Sequence, residues 1–167
     1  VKIRSPKDSF NLGIGMVHQH FKLVDVLTAA ENIVLGLPGK AKLNMKQITA
    51  DIQKLVNKYG FDLDLNQKIY EMSVSQKQTV EIVKMLYRGA KILILDEVLS
   101  VGDAKFRKKS EKKVLSMFDS GVTVLFVSHS LAQVQRICNK AMILEKGKLI
   151  AYGDIDTISE QYEKMTN

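Results

Sequence analysis

The sequence is poor in residues that cross-link or stack. Its 167 residues include one cysteine, two prolines and no tryptophan, and only 7% are aromatic. The single cysteine, Cys138, cannot form an internal disulfide, and no CxxC motif or Cys/His cluster indicates a structural zinc site. A disulfide-stabilised secreted domain is therefore excluded, and a reducing, cytoplasmic compartment is predicted.

Long hydrophobic runs are also missing. The longest apolar runs, at 92–95 and 122–127, are far shorter than the roughly 20 residues that span a bilayer. The first residues do not have the design of a signal peptide, so we expect a chain that neither crosses a membrane nor is secreted. With 46% hydrophobic residues, the chain is long enough for one globular domain with a single core.

The net charge of +7 comes from 25 basic and 18 acidic residues, and the excess is spread along the chain. One cluster, at 105–113, holds five lysines and one arginine, and we interpret it as a solvated helix face rather than a polyanion site. A nucleic-acid binder would need a clustered basic patch or exposed aromatic side chains. We therefore predict no nucleic-acid partner.

Strands and helices alternate along the chain, which predicts an α/β fold. Short apolar runs predict strands at 14–17, 92–95 and 122–127. Two capping patterns, Thr28-Ala-Ala-Glu31 and Ser73-Val-Ser-Gln76, predict helices that begin at these residues. A charged helix from 104 to about 120, followed at once by a strand, is typical of a parallel βαβ crossover.

The remaining patterns complete the predicted architecture. Asn44 and Gln47 make a weaker cap, before a helix that ends at Gly60. Apolar runs at 141–144 and 149–152 flank Lys146-Gly147, as in an antiparallel hairpin, and a surface helix follows. The predicted fold is therefore a mainly parallel sheet flanked by helices, with a C-terminal antiparallel hairpin.

Polar side chains follow three of the predicted strands. Asp96 and Glu97 come directly after four branched apolar residues, at the carboxyl end of a strand, where ligands of open α/β sheets bind. One acid can hold Mg²⁺ while the other orients a water that attacks a phosphoryl group. An acidic pair can also simply end a strand and begin a loop. Gln19 and His129 also follow strands, so we expect all four side chains at one sheet edge.

These segments, in this order, resemble the ATPase subunit of ABC transporters, and the resemblance covers nearly the whole chain. The segment 15–20 resembles the Q-loop, 71–84 the signature loop and its helix, and 92–97 the Walker B motif. Ser100-Val-Gly-Asp103 falls where the D-loop belongs, and His129 falls on the switch histidine. The resemblance implies a P-loop-NTPase-like fold.

The same resemblance implies an organisation for residues 1–167, which would form a partial ABC ATPase domain. A helical subdomain at 28–88 would carry the signature loop. Residues 89–167 would run from Walker B to the C-terminal part of the core.

The resemblance also implies a role for each site residue. Asp96 would help to hold Mg²⁺, Gln19 would sense it, Glu97 would polarise the attacking water, and His129 would contact the γ-phosphate. ATP and Mg²⁺ are the implied ligands. The residues implied in nucleotide binding are Gln19, Ser73, Val74, Ser75, Gln76 and Asp103.

Two kinds of partner are implied by the resemblance. One is a second ATPase subunit, paired head to tail so that the signature loop of each subunit faces the P-loop of the other. The others are membrane-spanning transporter subunits, which would place the chain at the inner face of the cell membrane. The implied function is ATP hydrolysis coupled to solute transport.

The sequence departs from the family pattern at two places. It contains no G-x-x-x-x-G-K-[ST] motif, and Val74 and Ser75 stand where the family usually has glycine-type positions. We therefore expect a subunit that lacks its N-terminal portion and the Walker A P-loop, and that is inactive alone. The alternative is a non-hydrolysing ABC-like fragment, or an engineered recombinant, with no nucleotide turnover.

The two halves of the chain resemble different branches of the family. Residues 1–97 resemble the ATPases of nucleoside and simple-sugar importers. Residues 97–167 resemble those of teichoic-acid or polysaccharide exporters. The sequence leaves open the transported substrate, the direction of transport, and whether the chain is a natural branch or a recombinant.

Overall fold

A computed structural model describes residues 1–18, 21–37, 44–97, 114–117 and 121–166. Its helices and strands alternate as predicted, and the backbone at 114–117 is also helical. The helices are α1 (Pro6–Asn11), α2 (Ala29–Val34), α3 (Met45–Lys58), α4 (Val74–Tyr87), α5 (Leu131–Ile137) and α6 (Ile155–Thr166), with a 3-10 turn at Ile69–Glu71. The strands are β1 (Ile14–Val17), β2 (Ile92–Asp96), β3 (Thr123–Val127), β4 (Lys140–Glu145) and β5 (Lys148–Asp154).

The strands form a three-stranded sheet in the order β1-β2-β3 and a separate pair, β4 and β5. β1 and β2 are parallel, and the Thr123 amide at the start of β3 donates to the Lys91 carbonyl at 2.9 Å. β4 and β5 are antiparallel around Lys146 and Gly147, which both have positive φ, as a tight hairpin turn requires. The predicted hairpin is confirmed, and the β1–β2 pair agrees with the predicted mainly parallel sheet. β2 includes Asp96, so it is one residue longer than predicted.

The chain divides into two compact units, Val1–Leu125 and Phe126–Asn167. Among the described residues, no helix is both long and apolar enough to cross a bilayer. The predicted division into 28–88 and 89–167 stays a prediction, and so does the helix at 104–120 except for its described residues. The core of the first unit is filled by fully buried side chains: Val17, Ile33, Ile52, Val56, Ile69, Val80, Val83, Leu93, Leu95, Val114 and Met117.

Helix α4 packs closely against β1. The pattern of the sequence predicts a buried stripe of Val80, Val83, Leu86 and Tyr87; the first three are buried, and Tyr87 is half-buried. A β-carbon placed on Gly15 of β1 would lie 3.1 Å from side-chain atoms of Met85, so glycine permits this approach. The helix and the first strand therefore hold each other in place, and β2 extends the sheet beside them.

The predicted helix caps are present. The Thr28 hydroxyl accepts from the Glu31 amide at 3.2 Å, and the Glu31 carboxylate accepts from the Thr28 amide at 2.7 Å. The Asn44 side chain accepts from the Gln47 amide at 3.3 Å at the start of α3. These caps satisfy amides that the first turn of a helix cannot pair internally.

Asn32 on α2 is fully buried and pairs with the peptide groups of Val24. Its Oδ1 accepts from the Val24 amide at 2.8 Å, and its Nδ2 donates to the Val24 carbonyl at 3.1 Å. Nδ2 also donates to the Thr28 carbonyl at 3.0 Å. Residues 21–24 belong to none of the described strands. The amide of Asn32 therefore acts on Val24 as a neighbouring strand would.

The β4–β5 hairpin has one packed face and one exposed face. On the packed face, Ile143 is buried, and Gly153 lies against Ile158 of α6. On the other face, cross-strand pairs bring apolar side chains together. The exposed apolar residues of this face are Met142, Leu144, Leu149 and Tyr152.

Replacing Asn32 with alanine is expected to destabilise the protein by about 1–3 kcal/mol, because three hydrogen bonds of a buried amide are lost. Chemical denaturation followed by circular dichroism measures the change. Gln53→Ala on the exposed side of α3 is the control, with an expected effect within about 0.5 kcal/mol. An equally small effect of Asn32→Ala would contradict the role of this amide.

The capping box makes the stability of α2 depend on pH. The Thr28 amide, and then the Thr28 hydroxyl and Lys68, lower the pKa of the Glu31 carboxyl below its ordinary 4.5. Because the folded pKa is the lower one, this stabilisation is complete above pH 4.5 and is lost as the pH falls through the folded pKa. We expect Glu31→Gln to reduce the loss of stability below pH 4.5.

Denaturation midpoints measured between about pH 3 and pH 6 test this expectation. Glu160→Gln, at an exposed position of α6, is the matched control. An identical pH dependence for Glu31→Gln and the unmodified protein would show that the cap does not respond to protonation.

Candidate functional site

Three of the polar residues predicted to contact a nucleotide, Ser73, Ser75 and Gln76, lie together at the start of α4. The Ser73 hydroxyl accepts from the Gln76 amide at 3.3 Å, and the Ser73 amide donates to Gln76 Oε1 at 2.9 Å. The Ser75 hydroxyl lies 2.8 Å from that of Ser73. The predicted capping box is therefore present, and two hydroxyls and one carboxamide meet at the first turn of the helix.

This end of α4 has the chemistry of an anion site. The helix has 14 residues, and the amides of its first turn place positive partial charge at Val74 and Ser75. Ser73 and Val74 are exposed, and Ser75 and Gln76 are half-buried. A phosphate group could therefore reach the loop. The Ser75 side chain occupies a position where glycine would leave the backbone open.

Gln76 also fixes the loop to the chain that precedes it. Its Nε2 donates to Oε1 of Gln67 at 3.2 Å, and Gln67 Nε2 donates to the Glu71 carbonyl at 3.2 Å. These bonds hold the approach to α4 in one conformation. Preorganised donors at a helix end are suited to charge stabilisation because they need little rearrangement when a ligand binds.

The two predicted carboxylates lie at the end of β2. Leu93 and Leu95 of this strand are fully buried, and Asp96 and Glu97 are half-buried. Glu97 has a φ of 52°, a left-handed conformation that costs a residue with a side chain about 1–2 kcal/mol. The chain therefore turns sharply directly after the strand. Such outliers are concentrated at functional sites, which favours a functional role over a simple strand end.

Asp96 suits Mg²⁺ that also binds a nucleotide. Mg²⁺ is usually held by one or two carboxylates, with phosphate oxygens and waters completing its octahedral shell. Within the described residues, no group of three or more histidine, cysteine, aspartate or glutamate side chains could hold a metal ion. A single carboxylate such as Asp96 fits Mg²⁺ that is also bound by phosphate oxygens and waters.

His129 lies between β3 and α5, in the second unit. The turn around it is held by Ser128, whose hydroxyl donates to Gln133 Oε1 at 3.1 Å and accepts from the Ser130 amide at 3.0 Å. The position directly after a strand agrees with the predicted switch histidine. Its proximity to the carboxylates of β2 stays a prediction.

Three predictions fall wholly or partly outside the described residues. They concern Gln19, Asp103 and the basic cluster at 105–113. The gathering of Gln19 with the strand-end carboxylates therefore also stays a prediction. The described site residues form two groups. Ser73, Val74, Ser75 and Gln76 lie together at the start of α4, and Asp96 and Glu97 lie together at the end of β2.

Sequence reasoning assigned no role to Glu81 and Lys84, two charged residues on the buried side of α4. Their carboxylate and ammonium groups are 3.7 Å apart, and their side chains are only 7% and 11% exposed. The sequence does contain a sign of this ion pair, because the two charges interrupt an apolar stripe that includes Val80 and Val83. A buried charge requires a partner, so such an interruption predicts an ion pair.

A protein-family model described as ABC transporter matches residues 2–100, more than half of the chain. A nucleotide-free ATP-binding cassette from an ABC transporter matches with a TM-score of 0.77 and 22% identity, over 98% of this chain and 71% of that one. The ADP conformation of another such cassette gives a TM-score of 0.78 and 21% identity, over 98% and 70%. These likenesses confirm the predicted α/β fold.

Curated relatives agree with the family match. A glucose import ATP-binding protein of Haloferax volcanii is 34% identical over 89% of this chain and 32% of its own length. A guanosine import ATP-binding protein of Bacillus subtilis is 37% identical over 93% and 31%. The chain thus spans about a third of the length of the curated relatives it matches. The resemblance of residues 97–167 to exporter ATPases stays a prediction. The predicted resemblance is confirmed, and the chain belongs to the ABC transporter family.

Proposed function

We propose that the chain is the part of an ATP-hydrolysing subunit that carries the signature loop and Walker B, and that it couples hydrolysis to solute transport. The observation that carries this proposal is the capped start of α4, where Ser73, Ser75 and Gln76 meet at an exposed helix N-terminus. Such a helix end attracts phosphate through its amides and partial positive charge. In this family the phosphate is that of ATP.

The roles at the strand ends follow from the chemistry of the residues. Asp96 holds Mg²⁺, which when bound neutralises phosphate charge. Glu97 accepts a hydrogen bond from the attacking water and orients it toward the γ-phosphate. His129 donates to a γ-phosphate oxygen as negative charge develops there. By resemblance, Gln19 would sense the metal and Asp103 would contact the nucleotide.

The proposal requires a P-loop from a second ATPase subunit. The 167 residues contain no G-x-x-x-x-G-K-[ST] motif, and Asp96 and Glu97 repel a polyphosphate by themselves. Oriented amides and one lysine normally supply phosphate affinity. We therefore propose that Ser73 to Gln76 face ATP held by the P-loop of a partner in a head-to-tail pair.

We further propose that the complete assembly imports a sugar or nucleoside. The relatives named above, a glucose import and a guanosine import ATP-binding protein, support this direction and substrate class. Membrane-spanning subunits would then carry the solute, with the chain bound to them at the cytoplasmic face of the membrane.

The second candidate is a non-hydrolysing ABC-like chain. The side chains of Val74 and Ser75, which stand where the family usually has glycine-type positions, favour it. In that case Ser73 and Ser75 would cap α4 and do nothing more. The two candidates differ in whether this chain can complete the nucleotide site of a partner.

We expect the chain alone to bind Mg-ATP more weakly than micromolar and to show no turnover typical of the family. Losing several charge-assisted hydrogen bonds from a P-loop weakens binding by several powers of ten, at about 1.5–3 kcal/mol each. Calorimetric titration measures the affinity, with Glu97→Gln as a control. Micromolar binding, or turnover abolished by Glu97→Gln, would reveal an unrecognised phosphate site.

Complementation tests the function directly. The partner is an ABC ATPase chosen to carry its own P-loop, with arginine in place of its signature serine, so its P-loop depends on a signature loop from elsewhere. We expect this chain to restore Mg-ATP hydrolysis to the mixture. Ser73→Arg should abolish the restoration, and Thr157→Arg, at an exposed position of α6, should not. No restoration by the unmodified chain would favour the non-hydrolysing candidate.

Ser75→Gly is expected to raise this restored activity severalfold, because backbone then meets phosphate without a side chain between them. The same change removes the contact of 2.8 Å with the Ser73 hydroxyl. Thermal denaturation is measured in parallel, since glycine weakens a helix by roughly 0.5–1 kcal/mol. Unchanged activity in a folded variant would show that this position tolerates serine.

A further inference from the structure

The buried charge pair of α4 holds both backbone groups, N–H and C=O, of one residue in a distant segment. The Lys22 amide donates to Glu81 Oε1 at 3.0 Å, and Lys84 Nζ donates to the Lys22 carbonyl at 3.3 Å. Lys22 lies 59 and 62 residues from these two side chains in the sequence. It follows Gln19 by three residues. The pair therefore links α4 to the chain that leaves the Q-loop.

The charges of the pair match the partial charges of the two backbone groups of Lys22. The carboxylate of Glu81 meets the N–H group of Lys22, and the ammonium of Lys84 meets its carbonyl. Exchanging the two charges would place an ammonium against the Lys22 N–H group and a carboxylate against the Lys22 carbonyl. Both contacts would then be repulsive. Well-packed apolar side chains often replace a buried ion pair without loss of stability, so the retained charges favour a positional role.

A second contact ties the same segment to α4. The ammonium of Lys77 lies 3.5 Å from the carboxylate of Asp25. Asn32 of α2 meanwhile holds both peptide groups of Val24. The segment from 22 to 25 is therefore attached to α4 at Lys22, to α2 at Val24 and again to α4 at Asp25. It has the attachments of a strand without belonging to a described sheet.

We propose that Glu81 and Lys84 are positioning residues that make the segment after Gln19 move as one body with the signature helix. Glu81 lies eight residues after Ser73, about 12 Å along the helix. A displacement of the Ser73 loop on meeting phosphate is transmitted through α4 to Lys22. The inference rests on the proposed function for the phosphate that displaces the Ser73 loop. The attachment, which consists of the hydrogen bonds between Lys22 and the side chains of Glu81 and Lys84, does not depend on that function.

Amide hydrogen exchange, measured residue by residue by NMR, tests the attachment without a nucleotide. The double variant Glu81→Lys with Lys84→Glu keeps an ion pair but reverses its polarity. We expect it to speed exchange of the Lys22 amide by about ten- to hundredfold, the range for losing one hydrogen bond to a charged group. Glu81→Gln keeps an acceptor and should have a smaller effect.

Two controls distinguish loss of the Lys22 hydrogen bond from a lower stability of the whole fold. The Val24 amide, which Asn32 holds, is the internal reference in each spectrum. Gln78→Leu changes another buried polar residue of α4, whose Oε1 accepts no hydrogen bond from the described residues, and should leave Lys22 unchanged. If the double variant does not fold, Glu81→Met combined with Lys84→Met, which removes both partners of Lys22 and leaves no unpaired buried charge, provides the test. Equal exchange of Lys22 in all folded variants would overturn the attachment.

A fluorescence signal tests the transmission. An environment-sensitive dye is attached at Val26→Cys, an exposed position beside the attached segment, in a Cys138→Ser background. When Glu81 and Lys84 are unchanged, adding Mg-ATP and the P-loop-bearing partner should change the emission of the dye. The reversed pair should lose this change while Mg-ATP-dependent association, followed by sedimentation, persists. Gln78→Leu should retain both.

The outcomes distinguish the inference from the proposed function. If the native pair gives no association with the partner, the proposed function fails, and hydrogen exchange still decides whether the attachment exists. If association occurs and the reversed pair leaves the emission change intact, the positioning role is overturned while the proposed function stands.

Discussion

Peptide groups that leave water must find partners, and the segment from 21 to 27 shows what this requirement does to the first unit. Three side chains from two helices pair with its peptides at Lys22 and Val24. The backbone amides of Tyr70 and Ile69, both in the 3-10 turn, donate to the carbonyls of Asp25 and Leu27 at 3.2 and 3.1 Å. α2, the 3-10 turn and α4 are thus arranged around one extended segment.

Local features of the fold could be predicted, and non-local ones could not. The caps at Thr28 and Ser73 depend on residues three positions apart, so their patterns can be recognised along the chain. The contacts of Lys22 join residues about sixty positions apart, and no local pattern reports them. Buried charges on an apolar stripe indicate that a partner exists, but they do not say which residue it is.

The candidate site shows the same difference. Apolar runs located the strand ends of Asp96 and His129, because burial within a sheet leaves a clear pattern. The left-handed backbone of Glu97 has no such pattern, since glycine and asparagine are the residues that usually mark this conformation. Positions in the chain were therefore more predictable than the directions in which side chains and backbone point.

The exposed apolar face of the β4–β5 hairpin has a consequence for the behaviour of the protein in solution. Apolar side chains such as Leu144 and Tyr152 favour contact between molecules, and the net charge of +7 opposes it. Salt screens the repulsion over about 10 Å at 0.1 M, and sulfate or phosphate also strengthens apolar association. Colloidal stability is therefore highest in dilute, low-salt buffer and falls as salt is added.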